Sequence, residues 1–485
     1  MEKTLTHKSD IDTIVAVATP RGEGGIGIIR LSGPDSLTIG KRLFKFHQEP
    51  RKIETHKMYL GDVLNLEKDP IDRGLFLFMK SPRSYTGEDV VELHCHGGPL
   101  LLESIVLEAV SLGAKPAENG QFTRRAFMNG KLDLAQAEAV LDVISSITER
   151  GLQVSVGQLF GKLSGEIEAM KTTLTSLLTD VEASIDFPDD EMEIISHHAV
   201  LTESRRILEK VEELLSTYRQ GRILREGANV VILGCPNVGK SSLINKLLGS
   251  DRAIVTAQPG TTRDTIWDFT NIDGVAVKLV DTCGIREVLE EAEQEGVRRA
   301  WEAVSTADII LLVIDVTSDN EDEERRLIDL LKKNELAKKG VETLVVFNKV
   351  DLIGKKRDSF HKGDIPTYPS IFTSALTGEG IDDLKREIGS LLLDDSGADG
   401  KTSDRVTINN ARHFEALLGV KKSLVEILKS DNQNVAMGEN PKNHFEPELL
   451  AVDIRGALTA LKEITGEVGT DDILDAIFSR FCVGK

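Results

Sequence analysis

Cysteine and tryptophan are scarce in this 485-residue sequence, which contains four cysteines and two tryptophans. The cysteines lack the pairing or the metal-ligand spacing that a disulfide framework or a zinc site would need; they are Cys95, Cys235, Cys283 and Cys482. This pattern argues against a small disulfide-stapled secreted protein. It favours a reducing compartment, and we expect the cytoplasm.

Long apolar runs are missing as well. The apolar run over 309–316 is far too short to cross a bilayer and predicts a buried strand. The first thirteen residues carry charges and no apolar segment, so we expect no secretory signal and no membrane partner.

Positive charge is in deficit. Asp and Glu number 79 against 59 Lys and Arg, a formal net charge of −20. This balance argues against binding nucleic acid by general electrostatics. It leaves open a local basic patch, or a basic partner that makes most of the phosphate contacts.

The rest of the composition is ordinary. With 40% hydrophobic and 28% charged residues, the chain has ample apolar material for a core, and its length favours about three domains.

The most informative stretch is a β-branched strand over 230–233, followed by a Gly-x-x-x-x-Gly-Lys-Ser loop and the start of a helix. Glycine lets successive backbone N–H groups of such a loop face phosphate oxygens, and the helix dipole adds to the attraction. Lys240 suits the β- and γ-phosphates, and the Ser241 hydroxyl suits Mg²⁺. The predicted contacts here are Asn237, Val238, Gly239, Lys240, Ser241 and Ser242.

A second motif indicates which nucleotide base is bound. Asn348-Lys349-Val350-Asp351 follows an apolar strand, and the Asp351 carboxylate accepts two adjacent N–H groups that guanine offers and adenine lacks. Ser374-Ala375-Leu376 adds a backbone N–H for the guanine oxygen. Because these motifs follow a phosphate loop in this order, they predict that the bound nucleotide is GTP.

Two further segments are predicted to sense the γ-phosphate. Asp281-Thr282-Cys283-Gly284 would hold Mg²⁺ through water and contact the phosphate by a glycine N–H. Gly260-Thr261-Thr262-Arg263-Asp264 supplies a hydroxyl for Mg²⁺, for which we favour Thr262.

The position after that glycine is Ile285, where Ras-like GTPases carry a glutamine that orients the attacking water. An aliphatic side chain cannot hydrogen-bond water, so hydrolysis needs another source of charge and orientation. The candidates are a monovalent cation beside Asn237 and a carboxylate of the acidic stretch 290–295. That stretch would equally suit a solvated helix face.

Outside these motifs, residues 10–125 predict mixed strands and helices, and the period becomes helical from Lys131 onward. In the strand starting at Val90, alternation places Glu92, His94 and His96 on one face, which suits a polar pocket wall better than a metal site. Apolar stripes over 156–178, 201–215 and 414–427 predict a helical bundle, with 218–226 as a polar linker. Helical sequence on both sides of the nucleotide motifs predicts that the nucleotide domain is inserted into the helical one.

The whole chain resembles the MnmE (TrmE) family of bacterial tRNA-modification GTPases. The resemblance rests on the segments 12–16, 24–30, 84–93 and 125–138 and on the tail Phe481-Cys482-Val483-Gly484-Lys485. It implies an α/β plus all-α chain: an N-terminal α+β tetrahydrofolate-binding domain (1–127), a helical domain in two parts (128–222 and 394–485) and an inserted Ras-like P-loop GTPase domain (223–393). Cys283 and Val483 depart from the usual Ala and Ile of the family, and neither change removes a ligand.

The resemblance further implies a potassium-activated, homodimeric GTPase that forms a heterotetramer with the FAD-binding partner MnmG. The pair would use 5-formyltetrahydrofolate or methylenetetrahydrofolate to add an aminomethyl or carboxymethylaminomethyl group at C5 of the wobble uridine of certain tRNAs. Carried onto this chain, folate would contact Arg30, Glu92, Lys131 and Lys485, with Arg30 and the lysines on the glutamyl tail and Glu92 on the pterin edge.

The same resemblance assigns potassium to Asn237 and the loop Thr256-Ala257-Gln258-Pro259-Gly260-Thr261, with Thr256, Gln258 and Thr261 as ligands. Glu293 would orient the water. Catalytic roles would fall to Glu293, Asn237, Lys240 and Cys482.

Two other functions compete. A ribosome-assembly GTPase of the Era or Der type would need a KH-like RNA module, and the only late Gly-x-x-Gly is the acidic Gly466-Glu467-Val468-Gly469. A metal enzyme built on His94 and His96 is the weaker alternative.

Overall fold

The computed structural model describes residues 12–186, 197–249, 269–281, 304–317, 327–328, 341–353, 368–393, 405–436 and 447–485. The chain divides into two compact units, one formed by Met1–Leu141 with Lys462–Lys485 and the other by Asp142–Leu461. The boundaries fall within two helices, α4 (Leu134–Ser145) and α12 (Pro447–Thr465). The three-domain limits given above stay a prediction.

The first unit contains a seven-stranded sheet in the order β3-β4-β5-β6-β2-β1-β7, antiparallel except for β1 and β7. Its strands are β1 (Ile14–Val17), β2 (Gly24–Ser32), β3 (Phe44–Phe46), β4 (Met58–Leu64), β5 (Pro70–Met79), β6 (Val90–Gly97) and β7 (Lys115–Pro116). Its helices besides α4 and α12 are α1 (Ser36–Arg42), α2 (Pro99–Ser111), α3 (Gln121–Met128) and α13 (Asp471–Phe478).

Strand alternation decides what each face of this sheet carries. In β6, Val91, Leu93 and Cys95 are buried in the core, where α1 and α2 also pack. The residues between them, Glu92 and His94, therefore lie on the opposite face.

The second unit contains a six-stranded sheet in the order β13-β12-β11-β8-β10-β9. All neighbouring strands are parallel except β9 and β10. The strands are β8 (Ala228–Leu233), β9 (Phe269–Ile272), β10 (Val275–Asp281), β11 (Ile309–Asp315), β12 (Glu342–Asn348) and β13 (Ser370–Phe372). Every residue of β11 is buried, as expected for a strand covered on both faces.

The helices of this unit are α5 (Glu149–Leu159), α6 (Lys162–Asp186), α7 (His197–Ser216), α8 (Tyr218–Glu226), α9 (Lys240–Leu248), α10 (Ile381–Leu392) and α11 (Ala411–Ala436). α7 precedes the nucleotide motifs and α11 follows them, yet the two pack together. The strand order, P-loop and flanking helices confirm the predicted fold class, with the nucleotide-binding sheet inserted between helices.

The apolar stripe from Val156 to Leu178 belongs to two helices, because Gly161 adopts φ 81° and separates α5 from α6, leaving Phe160 82% exposed. One local expectation was wrong. The supposed polar linker over 218–226 is the helix α8, which buries Gly221 and Ile223. Among the helices of the described residues, none combines the length and apolar character needed to cross a membrane.

Candidate functional site

The phosphate loop joins β8 to α9 in the second unit, as predicted. Gly239 adopts φ 98° directly before the first helical residue, Lys240, and a Cβ on it would collide with the side-chain amide of Asn348. Only glycine fits this position. The Lys240 ammonium donates to the carbonyls of Gly234 and Cys235, both at 2.9 Å. It is therefore held against the backbone of the phosphate loop.

Asn348 connects the phosphate loop to the two predicted base-recognition segments. It is 1% exposed. Its amide nitrogen donates to the Val238 carbonyl at 2.8 Å, and its amide oxygen accepts from the Ala375 N–H at 3.0 Å. Because one buried side chain joins the phosphate loop to the base-recognition loops, these loops are held as one assembly.

The predicted base-recognition residues are also held in place. The Ser374 hydroxyl donates to Asp351 Oδ1 at 2.6 Å, and Lys349 pairs with Asp315 at 2.7 Å. Burial opposes ionisation of Asp315, but hydrogen bonds from Lys349 and Thr317 outweigh it and lower the pKa of that carboxyl. Val350 is buried and Leu376 is 80% exposed.

Several predicted residues lie outside the described part of the chain. They are Thr256, Ala257, Gln258, Pro259, Gly260, Thr261, Thr262, Thr282, Cys283, Gly284 and Glu293. Asp281 is the last residue of β10, next to the phosphate-loop strand β8. Of the predicted metal ligands, the described ones are Asn237, exposed with φ 62°, and Ser241, exposed in the first turn of α9.

A second cluster lies on the first unit's sheet. Arg30 on β2 is directly opposite Glu92 on β6, and the Arg30 Nε atom donates to Glu92 Oε1 at 2.8 Å. His94 contacts the other carboxylate oxygen at 3.1 Å. Burial raises the pKa of Glu92, but the hydrogen bonds and charges of His94 and Arg30 outweigh burial and lower it, so the carboxylate is held ionised.

Two aromatic rings that the sequence did not single out complete this cluster. The Arg30 guanidinium lies 5.7 Å from the ring centroids of both Tyr85 and Phe122. The Tyr85 hydroxyl is hydrogen-bonded to the buried Thr123 hydroxyl at 2.9 Å. The available signal was that Tyr85 lies within the quoted segment 84–93 and that Phe122 lies three residues before the segment 125–138.

The tail reaches the same cluster. Gly484 is buried with φ 98°, and a Cβ there would meet the Val17 carbonyl of β1. Its own carbonyl accepts from Arg30 at 3.3 Å, and the Lys485 carbonyl accepts from the Phe122 N–H at 3.2 Å. Burial and the charge of Arg30 lower the pKa of Lys485, although Glu92 and Cys482 oppose them.

The other predicted residues of this site are more exposed. Lys131 donates to the Pro82 carbonyl at 3.0 Å and lies against the loop that carries Tyr85. The Cys482 thiol is exposed in the tail.

The competing interpretations gain no support from the geometry. His96 pairs with Asp72 at 2.7 Å, and the described residues include no group of three or more His, Cys, Asp or Glu suited to a metal. Gly466 ends α12, where a Cβ would clash with the side chains of Leu134 and Phe127. A packed turn of this kind differs from a loop that clamps RNA backbone.

Comparison with known proteins matches both parts of the chain. A family profile described as GTP-binding protein TrmE N-terminus matches residues 13–131, and one described as MnmE helical domain matches residues 134–482. Curated relatives named tRNA modification GTPase MnmE come from Syntrophus aciditrophicus (43% identity), Geobacter metallireducens (42%) and Natranaerobius thermophilus (40%). Each alignment spans 475 residues, which is 98% of this chain and 99% of the relative.

A joined guanine-nucleotide site in one unit, a distinct charged cluster in the other and likeness along almost the whole length lead to one assignment: the chain belongs to the MnmE family of tRNA modification GTPases.

Proposed function

We propose that this chain is a potassium-activated GTPase that uses a tetrahydrofolate one-carbon unit, together with the FAD-binding partner MnmG, to add an aminomethyl or carboxymethylaminomethyl group at C5 of the wobble uridine of certain tRNAs. The supporting observation is that one chain has two preorganised sites, a guanine-nucleotide site around Asn348 and a cluster around Arg30 and Glu92. A homodimer and a heterotetramer with MnmG belong to the same proposal.

In the nucleotide site, Lys240 binds the β- and γ-phosphates, and Asp351, aimed by Ser374, accepts the guanine N–H groups. The exposed oxygens of Ser241 and Asn237 suit hard cations, so Ser241 and Thr262 would hold Mg²⁺. Asn237 and the loop Thr256–Thr261 would hold K⁺. These ions supply positive charge that stabilises the transferred phosphoryl group.

Water orientation is the step that Ile285 cannot perform. We assign it to Glu293, whose carboxylate accepts a proton or a hydrogen bond from the attacking water.

The folate cluster suits a ligand with N–H donors at one end and carboxylates at the other. Arg30 and Glu92 form one ion pair, so both face the same end of an extended folate. The unused lone pairs of Glu92 can accept the pterin N–H edge. Lys485 is bonded to Phe122, whose ring lies beside Arg30, so it belongs to that same end. Lys131 is then left for the glutamyl carboxylates. This differs from the sequence-based assignment, which placed Arg30 and both lysines on the glutamyl tail. Cys482 is the proposed reactive thiol.

GTP turnover in potassium and in sodium buffer tests the first half of the proposal. We expect faster turnover in potassium and a large loss in both buffers for Glu293→Ala. Equal rates in all four cases would remove the mechanism.

Equilibrium binding of 5-formyltetrahydrofolate and methylenetetrahydrofolate tests the second half. Binding should be strong for the native chain and lost in Arg30→Ala, because the substitution leaves the Glu92 carboxylate without its shortest contact. Folate binding that survives this substitution would locate the ligand elsewhere.

A further inference from the structure

One edge of the first unit concentrates positive charge. The segment 51–57 and the turn 80–83 lie side by side, because the Lys80 N–H donates to the Thr55 hydroxyl at 2.9 Å and the His56 N–H donates to the Phe78 carbonyl at 2.7 Å. Lys131 joins them through its bond to the Pro82 carbonyl. The exposed cations gathered here, which we call the basic rim, are Arg51, Lys52, Lys57, Lys80, Arg83 and Lys131.

Two carboxylates lie at this rim beside its six cations. Asp89 Oδ1 accepts from the Ser81 N–H of the turn at 2.8 Å. Lys57 pairs with Glu54 at 2.7 Å, and both side chains are more than half exposed. Among the residues that the structure describes, the other five rim cations have no carboxylate within salt-bridge distance. The chain as a whole has a net charge of −20, so a cluster of cations is a local exception on an acidic protein. Such a cluster attracts anions to this one edge.

The rim continues into the loop that covers the Arg30–Glu92 cluster. Arg83 is two residues before Tyr85, whose ring lies over the Arg30 guanidinium. A polyanion lying along the rim would therefore pass beside the proposed folate. Lysine and arginine side chains on such an edge bind phosphates and position a nucleic acid without reading its sequence.

We propose that the basic rim binds the sugar-phosphate backbone of the tRNA next to the nucleotide that is modified. The proposal rests on the proposed function, since it uses the folate cluster as the place where that nucleotide must arrive. Its occupant is a polyanionic RNA, and its contacts are ionic.

Binding of a tRNA transcript to the full chain tests the rim, measured between about 50 and 200 mM salt. Two variants, Lys80→Glu/Arg83→Glu and Arg51→Glu/Lys52→Glu, each reverse two rim charges. The matched control is Lys41→Glu/Arg42→Glu. Lys41 and Arg42 end α1, which lies beside the Leu64 end of β4. The rim lies at the opposite end of this strand, where Lys57 precedes Met58.

We expect each rim variant to bind tRNA on the order of tenfold more weakly and to flatten the slope of log affinity against log salt by about two. The control should bind as the native chain does. Affinity for 5-formyltetrahydrofolate and GTP turnover, measured on the same preparations, should stay at native values and report that the fold is intact.

Unchanged tRNA affinity in both rim variants, an equal loss in the control, or no salt-dependent tRNA binding by the native chain would each overturn the proposal. Phosphatidylglycerol vesicles provide a second polyanion, and rim-dependent binding of vesicles but not of tRNA would overturn it too. Rim-dependent tRNA binding by a chain that takes up no folate would instead contradict the proposed function and leave the rim standing.

Discussion

The two sites of this protein are built in opposite ways. In the nucleotide site, short continuous motifs carry the function, and one buried side chain, Asn348, fastens them together. In the Arg30–Glu92 cluster, the partners come from distant parts of the chain, up to 454 residues apart for the bond between Arg30 and the Gly484 carbonyl. The residues of the first site lie in short local motifs, whereas the second site forms only after the sheet, α3 and the tail have packed.

The largest effect that separates the sites should come from Asp351→Asn. An amide presents an N–H where guanine also presents one, so GTP affinity should fall about 10- to 100-fold and xanthosine triphosphate should bind better than before. Competition between the two nucleotides measures the change. If affinity for 5-formyltetrahydrofolate fell in parallel, the two sites would not be independent.

A smaller effect, confined to the first unit, should follow Gly484→Ala. The added methyl group meets the Val17 carbonyl at a left-handed backbone position, which costs about 1–3 kcal/mol of tail docking. Folate affinity should fall on the order of tenfold, while GTP affinity stays unchanged.

Gly469→Ala is the matched control for that change, because a Cβ at Gly469 meets nothing within 4 Å. It should leave both affinities at native values. A loss of folate affinity in Gly469→Ala equal to that in Gly484→Ala would mean that tail docking is not the cause.

Ser374→Ala should lower the affinity for guanine nucleotide only a few fold. It removes the hydroxyl that aims Asp351 but keeps the carboxylate, so the loss is one net hydrogen bond, about 0.5–1.5 kcal/mol. Titration with a fluorescent guanine nucleotide would detect it. A loss as large as that of Asp351→Asn would show that Ser374 contacts the base site in some further way.

The smallest expected effect is a pH dependence of the first unit. Because the pKa of Glu92 is lowered below its ordinary 4.5 in the folded state, its contribution to stability is complete above that pH and is lost as the pH falls through the folded value. Hydrogen exchange of β6 peptides in urea, from pH 7 down to about 3.5, measures the loss. Glu92→Gln should flatten the profile; a native profile already flat would contradict the ionised pair.

Much of the nucleotide site was predictable, because its motifs combine residue types that few other structures require in that order. The strand before the phosphate loop and the glycine before Lys240 follow from local pattern. The tie that Asn348 makes to Val238 was not predictable, since it depends on how β12 lies relative to the phosphate loop.

In the first unit, alternation along β6 predicted that Glu92 and His94 share a face, and the structure confirms it. The approach of the Arg30 guanidinium to the rings of Tyr85 and Phe122 could not be read from any spacing. The break at Gly161 and the helix α8 were missed because one glycine ended an otherwise continuous apolar stripe and one buried Ile223 outweighed a polar segment.

The sequence alone predicted the kind of chemistry: a phosphate loop, a carboxylate expected to select guanine and an isoleucine where water would need a partner. These depend on residue type and short spacing, which the covalent chain carries directly. Only the tertiary structure decided that Arg30, Glu92 and Gly484 meet, and that the cations of the basic rim gather on one edge. Such meetings depend on strand register and tail docking, which are set by burial of the whole core rather than by any one segment.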